Sequence, residues 1–492
     1  MKNTDIAIIG LSGRLPGISD LSELNDIFVN KVDCVVPFKD ERRDLLKLDK
    51  NIKYFDAAYI DGVQYFDYNF FNISRQEAKN MDPQQKMILE LAYSAIEDGG
   101  YSPDDLRGTN TSVMIGVHNS HMYDDHITDN TGIAFLGSFL DALAGRISYT
   151  LDLEGEAAVV ETACSSSLYA IYDSCVKLNA GEADMALAGG ITLEFRARPW
   201  NYAQIDNLQL ISPSARCNTF DECADGINLG EGAGVLFLKR YDDAVRDKDP
   251  IYAVIKSAAA NQDGGRSNSL TAPSSKAQAD VIRKAIKKSG INAEDIGYIE
   301  AHGTGTKIGD PIEIQGLTEA FSSFTDKKQF CPIGSLKSNF SHLGSAAGVV
   351  SMIKGITSFE NNKKYPLCRL NKLNPLIDFK NSPVYPITET EDWITDKNRY
   401  IGLSAFGASG TNVHVILGDH KEHYYGKKTE PEYLITISGD REEAVGEYCN
   451  KLLNDVGKFP LGDIAYTLNK GRKDFKFRTS FCVKNDEEMI ES

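Results

Sequence analysis

The sequence predicts an α/β fold with two or three domains, and two observations support this prediction. Short apolar segments typical of buried strands alternate along the chain with segments whose apolar residues recur at helical spacing. The chain has 492 residues, which is too long for one ordinary hydrophobic core and indicates two or three domains. A second alternating half begins near Ile251, and a polar stretch near Asp419 precedes a small α/β unit. We therefore predict domains at residues 1–250, 251–418 and 419–492.

The first half alternates strands with helices that carry recognisable caps. One helix has Asp82 as its N-cap and Pro83 at its first position, and it is expected to stop at Gly99. A second helix follows residue 164 and is expected to end at Gly181. The glycine-rich residues 10–17 lack the spacing of a phosphate loop, so we interpret them as a turn. The predicted strands of this half cover residues 6–9, 111–117, 158–160, 185–190 and 235–239.

The second half and the tail continue the alternation. Ser275 and Gln278 have the spacing of a capping box, and Gly290 is placed to end the helix that they begin. The chain stops just after a helix start at Asp486, so we expect it to be cut from a longer polypeptide. The predicted strands cover residues 253–257, 296–300, 413–417, 433–437 and 477–483, and the predicted tail helices lie near 444–453 and 464–468.

Composition limits the partners and the compartment. The formal net charge of −17 argues against a nucleic acid or an anionic membrane as partner. Nine scattered cysteines without a CxxC pair indicate a reducing compartment. The N-terminus does not resemble a signal peptide, and no apolar run reaches the roughly 18 residues that a membrane helix needs. We therefore expect a cytoplasmic protein without a membrane span.

Residues 118–126 contain three histidines and two aspartates, which are residue types that bind metal ions. They lack the i, i+4 spacing of a zinc-binding helix, and nothing in the sequence defines their geometry. We interpret the stretch as a solvated loop and predict no metal site.

Cys164 lies where the predicted strand 158–160 leads into the N-terminus of a helix. Unpaired backbone N–H groups and the helix dipole favour negative charge there, so we expect a thiol that loses its proton readily. Ala163, Ser165 and Ser166 are small and leave room for a substrate. A strand-to-helix turn that carries a nucleophile is one interpretation, and a buried cysteine that acts as a small hydrophobic residue is the other.

Three further stretches combine reactive side chains with small residues at strand ends. Residues 300–306 present His302, and residues 337–342 present Lys337 and His342. Residues 406–412 form a loop that can point backbone N–H groups inward. A single histidine is usually structural, whereas two histidines and a lysine in such loops indicate a site. The pattern alone leaves open whether they meet Cys164.

These segments resemble the active-site motifs of the β-ketoacyl synthases of modular polyketide synthases. The resemblance extends from about Asp5 to Leu417, and the four motifs occur in the order of the family. They are VETACSSSL at 160–168, EAHGTGT at 300–306 with GDPIE at 309–313, KSN at 337–339 with His342, and GTNVHV at 410–415.

The resemblance implies a thiolase fold with two similar βαβαβαββ-type halves in an α-β-α-β-α arrangement, and a homodimer. It implies that Cys164 is the acylated nucleophile. It implies that His302 and His342 bind the malonyl thioester carbonyl and that Lys337 orders the site. The oxyanion hole would be formed by the backbone N–H groups of Cys164 and Ala408. The phosphopantetheine arm or substrate would contact the residues Thr304, Thr306 and Phe406.

The resemblance also implies the reaction, which is chain elongation by decarboxylative Claisen condensation of a Cys164-bound acyl chain with a malonyl group. Both groups would arrive on the phosphopantetheine of acyl carrier proteins, with no bound cofactor or metal. One alternative is a ketosynthase that transfers acyl chains without condensing them, although such members typically lose a histidine. A thiolase that uses free coenzyme A usually lacks a residue like His342. A papain-type hydrolase would need an asparagine that orients the histidine, and none is evident.

Three positions differ from the pattern of the family. Ser341 precedes His342 where glycine is usual, Gly344 stands where an acidic residue is usual, and Glu161 replaces the commoner aspartate. The first two affect the surroundings of Lys337 and His342. The tail from about Asp419 resembles the small linker domain that follows these synthases, and no acyltransferase motif follows it. We therefore expect a system whose acyltransferase acts in trans, with other modules of the same synthase as partners.

Overall fold

The computed structural model describes residues 4–118, 136–194, 198–206, 210–421 and 430–492. The strands within this part of the chain are numbered in order. They are β1 (Ile6–Arg14), β2 (Thr111–Val117), β3 (Ala157–Val160), β4 (Met185–Thr192), β5 (Gly232–Arg240), β6 (Ala253–Gln262), β7 (Ile296–Glu300), β8 (Cys331–Gly334), β9 (Lys363–Lys364), β10 (Val384–Pro386), β11 (Glu391–Asp392), β12 (Tyr400–Phe406), β13 (Thr411–Asp419), β14 (Tyr433–Gly439) and β15 (Phe477–Val483).

The α-helices of the same residues vary from one turn to four turns. They are α1 (Leu24–Val29), α2 (Asp40–Leu45), α3 (Arg75–Asn80), α4 (Pro83–Asp98), α5 (Ala142–Leu151), α6 (Ser166–Ala180), α7 (Tyr202–Ile205), α8 (Tyr241–Asp247), α9 (Ser275–Ser289), α10 (Gly309–Phe321), α11 (Lys337–Phe340), α12 (Ala347–Glu360), α13 (Glu442–Leu452), α14 (Leu461–Lys470) and α15 (Asp486–Glu491).

Eleven strands form one sheet that contains the same five-strand order twice. The order β3-β2-β4-β5-β1 in the first half matches β8-β7-β12-β13-β6 in the second, and β10 adds an edge strand beside β8. The two halves meet where β1 pairs antiparallel with β6, through Ile6↔Ile255, Ala7↔Val254 and Ile8↔Ala253. This repeat confirms the predicted α/β fold with two similar halves.

Helices cover both faces of each half and produce five layers. The central helices α6 and α12 contact each other, and each packs on strands of both halves. Their apolar residues belong to one buried core that also includes residues of β1, β5, β12 and β13. Helices α4 and α5 cover the outer face of the first half, and α9 with α10 covers the outer face of the second. The layered α-β-α-β-α arrangement is therefore confirmed.

Two local predictions were wrong. Residues 10–14 continue β1 through an irregularity in pairing between Ile8 and Gly10, instead of turning. A Cβ atom on Gly10 would lie 2.3 Å from the carbonyl oxygen of Ala95, so this glycine allows α4 to approach the strand. The N-cap of α9 is Ser274, not Ser275, because the Ser274 side chain accepts the hydrogen bond from the N–H of Ala277.

The other predicted caps are confirmed. Asp82 accepts a hydrogen bond from the N–H of Gln84 at the start of α4. Gly181 and Gly290 end α6 and α9 in the left-handed conformation that glycine adopts without steric cost.

The tail forms a separate small sheet with its own core. Strands β14 and β15 pair antiparallel, and α13 and α14 pack against β14. The tail contacts the first half through the rings of Phe475 and Phe70, whose centroids are 5.3 Å apart. The Arg472 guanidinium also donates a 3.0 Å hydrogen bond to the carbonyl oxygen of Glu97.

Membrane-spanning helices, metal-binding clusters and disulfides are absent from the described residues. Within them, no helix is long and apolar enough to cross a membrane, and no cluster of His, Cys, Asp and Glu could hold a metal ion. All nine cysteines are free. Of the histidine-rich stretch 118–126, only His118 lies inside the described residues, and its Nδ1 is 2.9 Å from the Glu161 carboxylate.

Candidate active site

Cys164 lies in a tight turn between β3 and α6. The turn is a 3₁₀ segment, Ala163–Ser165, and Ala163 has a φ of 54°, a left-handed conformation that costs energy for any residue except glycine. The Ser166 hydroxyl donates to the carbonyl oxygen of Ala163 at 2.6 Å and accepts from the N–H of Thr162 at 2.9 Å. These hydrogen bonds hold the strained turn that presents the sulfur.

The electrostatic environment of the thiol differs from the sequence-based expectation. Burial raises the pKa of Cys164 above its usual value, because the thiolate loses solvation. The Lys337 ammonium and the backbone N–H groups of Ala408 and Cys164 oppose this effect, but they do not cancel it. The expectation of a readily ionised thiol was therefore wrong in the free protein.

The two backbone N–H groups that meet at the sulfur come from different halves of the chain. One belongs to Cys164, and the other belongs to Ala408 in the turn between β12 and β13. A Cβ atom on Gly407 would lie 2.2 Å from the carbonyl oxygen of Thr162, so only glycine lets this turn pack against the Cys164 segment. The structure thus brings both predicted oxyanion-hole donors to the sulfur.

His342 follows α11 and is almost completely buried. The backbone N–H of Gly344 donates a 3.0 Å hydrogen bond to its Nδ1. An Nδ1 that accepts leaves the proton of the neutral ring on Nε2, and the buried Nε2 has no hydrogen-bond partner in the described part of the chain. Because the ring also lines the cavity described below, Nε2–H is a donor available to a ligand.

Backbone pairing fixes the position of His342. Its N–H donates to the carbonyl oxygen of Asn228 at 2.8 Å, and its carbonyl oxygen accepts from the N–H of Gly230 at 2.9 Å. Ser341 has φ 63° and ψ −169°, a region that is essentially restricted to glycine. Its buried hydroxyl accepts a 3.1 Å hydrogen bond from the Asn228 side-chain amide. The serine that replaces the usual glycine is thus strained and hydrogen-bonded.

His302 follows the end of β7 and faces His342. The ring centroids are 5.7 Å apart, and the planes are nearly perpendicular, at 85°. The N–H of Phe406 lies 3.4 Å from Nδ1 of His302, which again leaves the ring proton on Nε2. The Phe406 ring lies against the imidazole with a centroid distance of 5.5 Å.

Both histidines are neutral at ordinary pH. Burial lowers the pKa of each ring well below the usual value for histidine, because the protonated ring would lose solvation. The positive charge of Lys337 lowers both pKa values further. The site therefore contains two neutral imidazoles that are able to donate hydrogen bonds from Nε2.

Lys337 lies behind the histidines and does not line the cavity. Its Nζ donates a 2.6 Å hydrogen bond to the backbone carbonyl oxygen of His302. Burial lowers the pKa of this ammonium, and its interactions with Cys164, Glu300 and Glu313 oppose this effect without cancelling it. Lys337 therefore holds the His302 backbone and supplies the positive potential at the thiol.

Two buried carboxylates in the GDPIE segment hold the His302 loop, a role that the sequence analysis did not assign. Glu313 accepts hydrogen bonds of 2.8 Å from the N–H groups of His302 and Gly303. Asp310 accepts from the N–H groups of Phe220 and Gly305. Burial raises the pKa of each carboxyl to about 7. The signal that could have indicated this role is that the segment follows the histidine motif closely in the sequence, so its carboxyl groups can reach the N–H groups of the loop.

One cavity of about 1110 Å³ connects the predicted site residues. Thr304 and Thr306 lie on its wall with their hydroxyl oxygens 3.1 Å apart, and exposed residues at 307–308 lie where it opens to solvent. The predicted site residues that line it are Cys164, His302, His342, Thr304, Thr306, Phe406 and Ala408. The structure therefore brings every predicted site residue except Lys337 to the same surface.

This arrangement suits the chemistry of thioesters. A sulfur nucleophile lies beside two backbone donors that are able to stabilise an oxyanion, and two imidazole donors that are able to stabilise an enolate face the same space. Such interactions are stronger in the interior of a protein than in water, because the effective dielectric constant is lower there.

Comparison with known families gives matches along almost the whole chain. Residues 3–244 match the family described as "Beta-ketoacyl synthase, N-terminal domain", and residues 252–371 match the corresponding C-terminal domain. Residues 374–481 match "Ketoacyl-synthetase C-terminal extension".

Individual proteins are similar over the same extent. The chain is 37% identical to polyketide synthase PksN and 36% identical to PksL, both from Bacillus subtilis, over 98% and 99% of its length. It spans 9% and 11% of those proteins. The ketosynthase from module 6 of the bacillaene synthase from Bacillus subtilis 168 superposes with a TM-score of 0.88 at 36% identity, covering 99% of this chain and 84% of that one. Ketosynthase KS7 of the oxazolomycin protein OzmH from Streptomyces albus gives a TM-score of 0.89 at 30% identity, covering 99% and 88%.

Proposed function

The chain belongs to the β-ketoacyl synthase family of polyketide synthases, and from this premise we propose that it extends a polyketide chain by decarboxylative Claisen condensation. The observation that supports condensation most directly is the pair of neutral imidazoles whose rings are 5.7 Å apart beside Cys164. A protein that only accepts and passes on acyl chains needs the sulfur and the oxyanion donors, but it has no use for two enolate-binding histidines.

In the first step we propose that the Cys164 sulfur attacks the carbonyl carbon of an acyl thioester on a carrier protein. The carbonyl oxygen becomes an oxyanion and accepts hydrogen bonds from the N–H groups of Cys164 and Ala408. Collapse of this intermediate breaks the bond to the carrier sulfur. The acyl group stays on Cys164, and the thiol proton leaves on the carrier thiol.

In the second step a malonyl thioester replaces the first substrate. Its carbonyl oxygen accepts hydrogen bonds from Nε2–H of His302 and His342, so loss of carbon dioxide leaves an enolate that both rings stabilise. The enolate carbon attacks the acyl carbon on Cys164. The carbon–sulfur bond breaks with its electron pair on the Cys164 sulfur, which takes up a proton from solvent to restore the thiol. The product is a β-ketoacyl thioester on the carrier.

The arm that carries both substrates belongs to the partner. In polyketide synthases the phosphopantetheine is attached to acyl carrier protein domains, and the ketosynthase domain binds no cofactor itself. We propose that this arm enters the cavity past Thr304 and Thr306 and that Phe406 contacts the thioester end, since all three residues line the cavity.

We also propose a homodimer that forms along β3. This strand is at one edge of the eleven-stranded sheet, and its apolar residues, Ala157–Val160, are exposed or half-buried. An apolar edge strand with unpaired backbone groups is a template for pairing with a second strand. Pairing with β3 of a second copy would cover the apolar side chains and would provide hydrogen bonds for the backbone groups of the edge.

The remaining assignments stay predictions. They are the domains 1–250, 251–418 and 419–492, a trans-acting acyltransferase, other modules of the same synthase as partners, and a cytoplasmic location.

Intact-protein mass spectrometry of Cys164→Ala and His302→Ala variants tests the reaction. We expect Cys164→Ala to abolish acylation by an acyl thioester and to keep some decarboxylation of malonyl carrier protein. Cys175→Ala is a matched control, because Cys175 is buried in α6 away from the cavity and should leave acylation unchanged. Acylation that persists without Cys164 would assign the nucleophile to another residue.

The His302→Ala variant separates condensation from simple acyl transfer. We expect it to become acylated on Cys164, but to form no β-ketoacyl product from malonyl carrier protein. A wild-type chain that is acylated and never releases carbon dioxide from malonyl carrier protein would instead support the transfer function.

A further inference from the structure

Gln278 lies in the wall of the active-site cavity without an assigned role. It lies in the first turns of α9, after the Ser274 cap, and it lines the cavity together with Thr304 and Thr306. The residue is only 2% exposed. Its side-chain amide is therefore a polar group inside the protein at the surface of a cavity that leads to Cys164.

Among the described residues, the side-chain oxygen of Gln278 has no hydrogen-bond partner. This oxygen, Oε1, is buried. A buried amide that lacks hydrogen bonds is costly, by about 1–3 kcal/mol for each unsatisfied group. We therefore expect a ligand in the cavity to provide the missing hydrogen bond.

The neighbouring helix α10 packs closely on the Gln278 side chain through a glycine. A Cβ atom on Gly316 of α10 would lie 3.0 Å from the Gln278 Cβ and 3.3 Å from Oε1. The glycine therefore lets α10 pack closely against α9 without a side chain that covers or bonds the amide.

The threonine hydroxyls on the same wall already have hydrogen-bond partners. The hydroxyls of Thr304 and Thr306 are within hydrogen-bond distance of each other, and Thr306 also accepts from the N–H of Gly309 at 3.2 Å. Gln278 thus differs from both threonines, because its acceptor oxygen has no partner in the described part of the chain.

We propose that the side chain of Gln278 binds an amide of the phosphopantetheine arm. This inference rests on the proposed function, in which that arm delivers both substrates. The arm contains two secondary amides, and each offers one N–H donor and one carbonyl acceptor, which match the acceptor and the donors of a primary amide. An acyl hydrocarbon chain would leave the glutamine unsatisfied. Gln278 is therefore a binding residue for the arm and not for the acyl group.

Three thioesters of the same acyl group test this assignment with the Gln278→Met variant. The pantetheine thioester has both amides, the N-acetylcysteamine thioester has only the amide nearer to sulfur, and the propyl thioester has none. Methionine has nearly the same length as glutamine but cannot replace its hydrogen bonds. Intact-protein mass spectrometry gives the second-order rate constant of Cys164 acylation for each thioester.

We expect acylation by the pantetheine thioester to slow by about three- to tenfold, the effect of one neutral hydrogen bond, while the propyl thioester keeps the wild-type rate. The N-acetylcysteamine result identifies the amide, because a loss there points to the amide nearer to sulfur. Gln278→Asn, which keeps the polarity but shortens the side chain, should show the same selective loss. Gln204→Met is the matched control, because Gln204 lines the same cavity from α7 but is exposed.

Two outcomes with an active wild type would overturn the assignment alone. An equal loss with all three thioesters would mean that Gln278 only supports the fold, and an unchanged pantetheine rate would mean that it does not contact the arm. A wild-type chain that no thioester acylates would contradict the proposed function and this assignment with it. An acylated wild type with unaffected variants would contradict this assignment alone.

Discussion

Replacing Lys337 by methionine tests how one buried ammonium controls the thiol and the histidines. The charge of Lys337 lowers the pKa values of Cys164, His302 and His342. Methionine keeps most of the apolar stem and removes the charge. We therefore expect all three pKa values to rise in the Lys337→Met variant, so the thiol ionises less readily and the imidazoles are protonated more readily.

The size of the change follows from the charge and from the hydrogen bond. With the separation taken as about 8 Å, two unit charges interact by about 2 kcal/mol at an effective dielectric constant of about 20, which corresponds to a shift of about 1.5 pH units. The variant also loses the 2.6 Å hydrogen bond from Nζ to the carbonyl oxygen of His302. A hydrogen bond of a charged group contributes about 1.5–3 kcal/mol, so the free energy of unfolding should fall by a similar amount.

Alkylation of Cys164 by iodoacetamide measures the thiol, because the thiolate is the reacting species. We expect the pH profile of alkylation in Lys337→Met to move upward by about 1–2 units. Decarboxylation of malonyl carrier protein measures the histidines. Its activity should disappear at a higher pH on the acidic side than in the wild type, because the raised pKa values of both rings let them gain protons earlier as the pH falls.

Lys354→Met is the matched control. Lys354 is another buried ammonium, and it pairs with the Glu300 carboxylate at 2.7 Å, but it does not influence the pKa of Cys164 or of the two histidines. Its loss leaves Glu300 as an unpaired buried charge and should cost about 3–5 kcal/mol of unfolding free energy. We expect the folded control to keep the wild-type alkylation profile. An unchanged profile in Lys337→Met, or an equal shift in both variants, would refute the reasoning.

Two further predictions concern the unusual residues beside His342, and chemical denaturation measures both. Ser341→Ala should lose about 1–3 kcal/mol, because it removes a buried hydrogen bond and keeps the strained conformation. Ser341→Gly should be about 1 kcal/mol more stable than Ser341→Ala, since glycine adopts φ 63° freely, and the reverse order would contradict the strain. Gly344→Ala should lose about 1–3 kcal/mol, because its φ is 52° and its Cβ would lie 2.8 Å from Oγ1 of Thr192. Thr192→Ala should partly restore this variant, and a full-strength loss in the double variant would exclude the clash as the cause.

The periodic parts of the fold were predictable because their signals are local. Asp82, Gly181 and Gly290 mark helix ends through their own conformational preferences, and the structure confirms them. The choice of Ser274 over Ser275 is not local, because adjacent serines have equal capping ability and the path of the preceding chain decides. The continuation of β1 past Gly10 depends on the approach of α4, which no property of residues 10–14 indicates.

The identity of the site residues could be predicted from the sequence, and so in part could their proximity. The four motifs named the sulfur, both imidazoles and the lysine, and the structure brings them together. The pKa of Cys164 could not be predicted from its place at a helix N-terminus, because burial depends on the loops that close over the sulfur. The open amide of Gln278 could not be predicted either, since a missing partner becomes visible only when every neighbour has a position.

The repeat in the fold explains why the site needs both halves. The 3₁₀ turn before α6 presents Cys164 in the first half, and the 3₁₀ turn Gly344–Ala346 before α12 follows His342 in the second. A non-glycine residue with positive φ immediately precedes each reactive residue, Ala163 in one half and Ser341 in the other. A strained residue before a short 3₁₀-to-helix junction therefore accompanies the sulfur in one half and the imidazole in the other. Since β1 and β6 share three residue pairs, packing between α6 and α12 and on the strands of both halves also aligns the two junctions, and a change there should reduce catalysis although it touches no reacting atom.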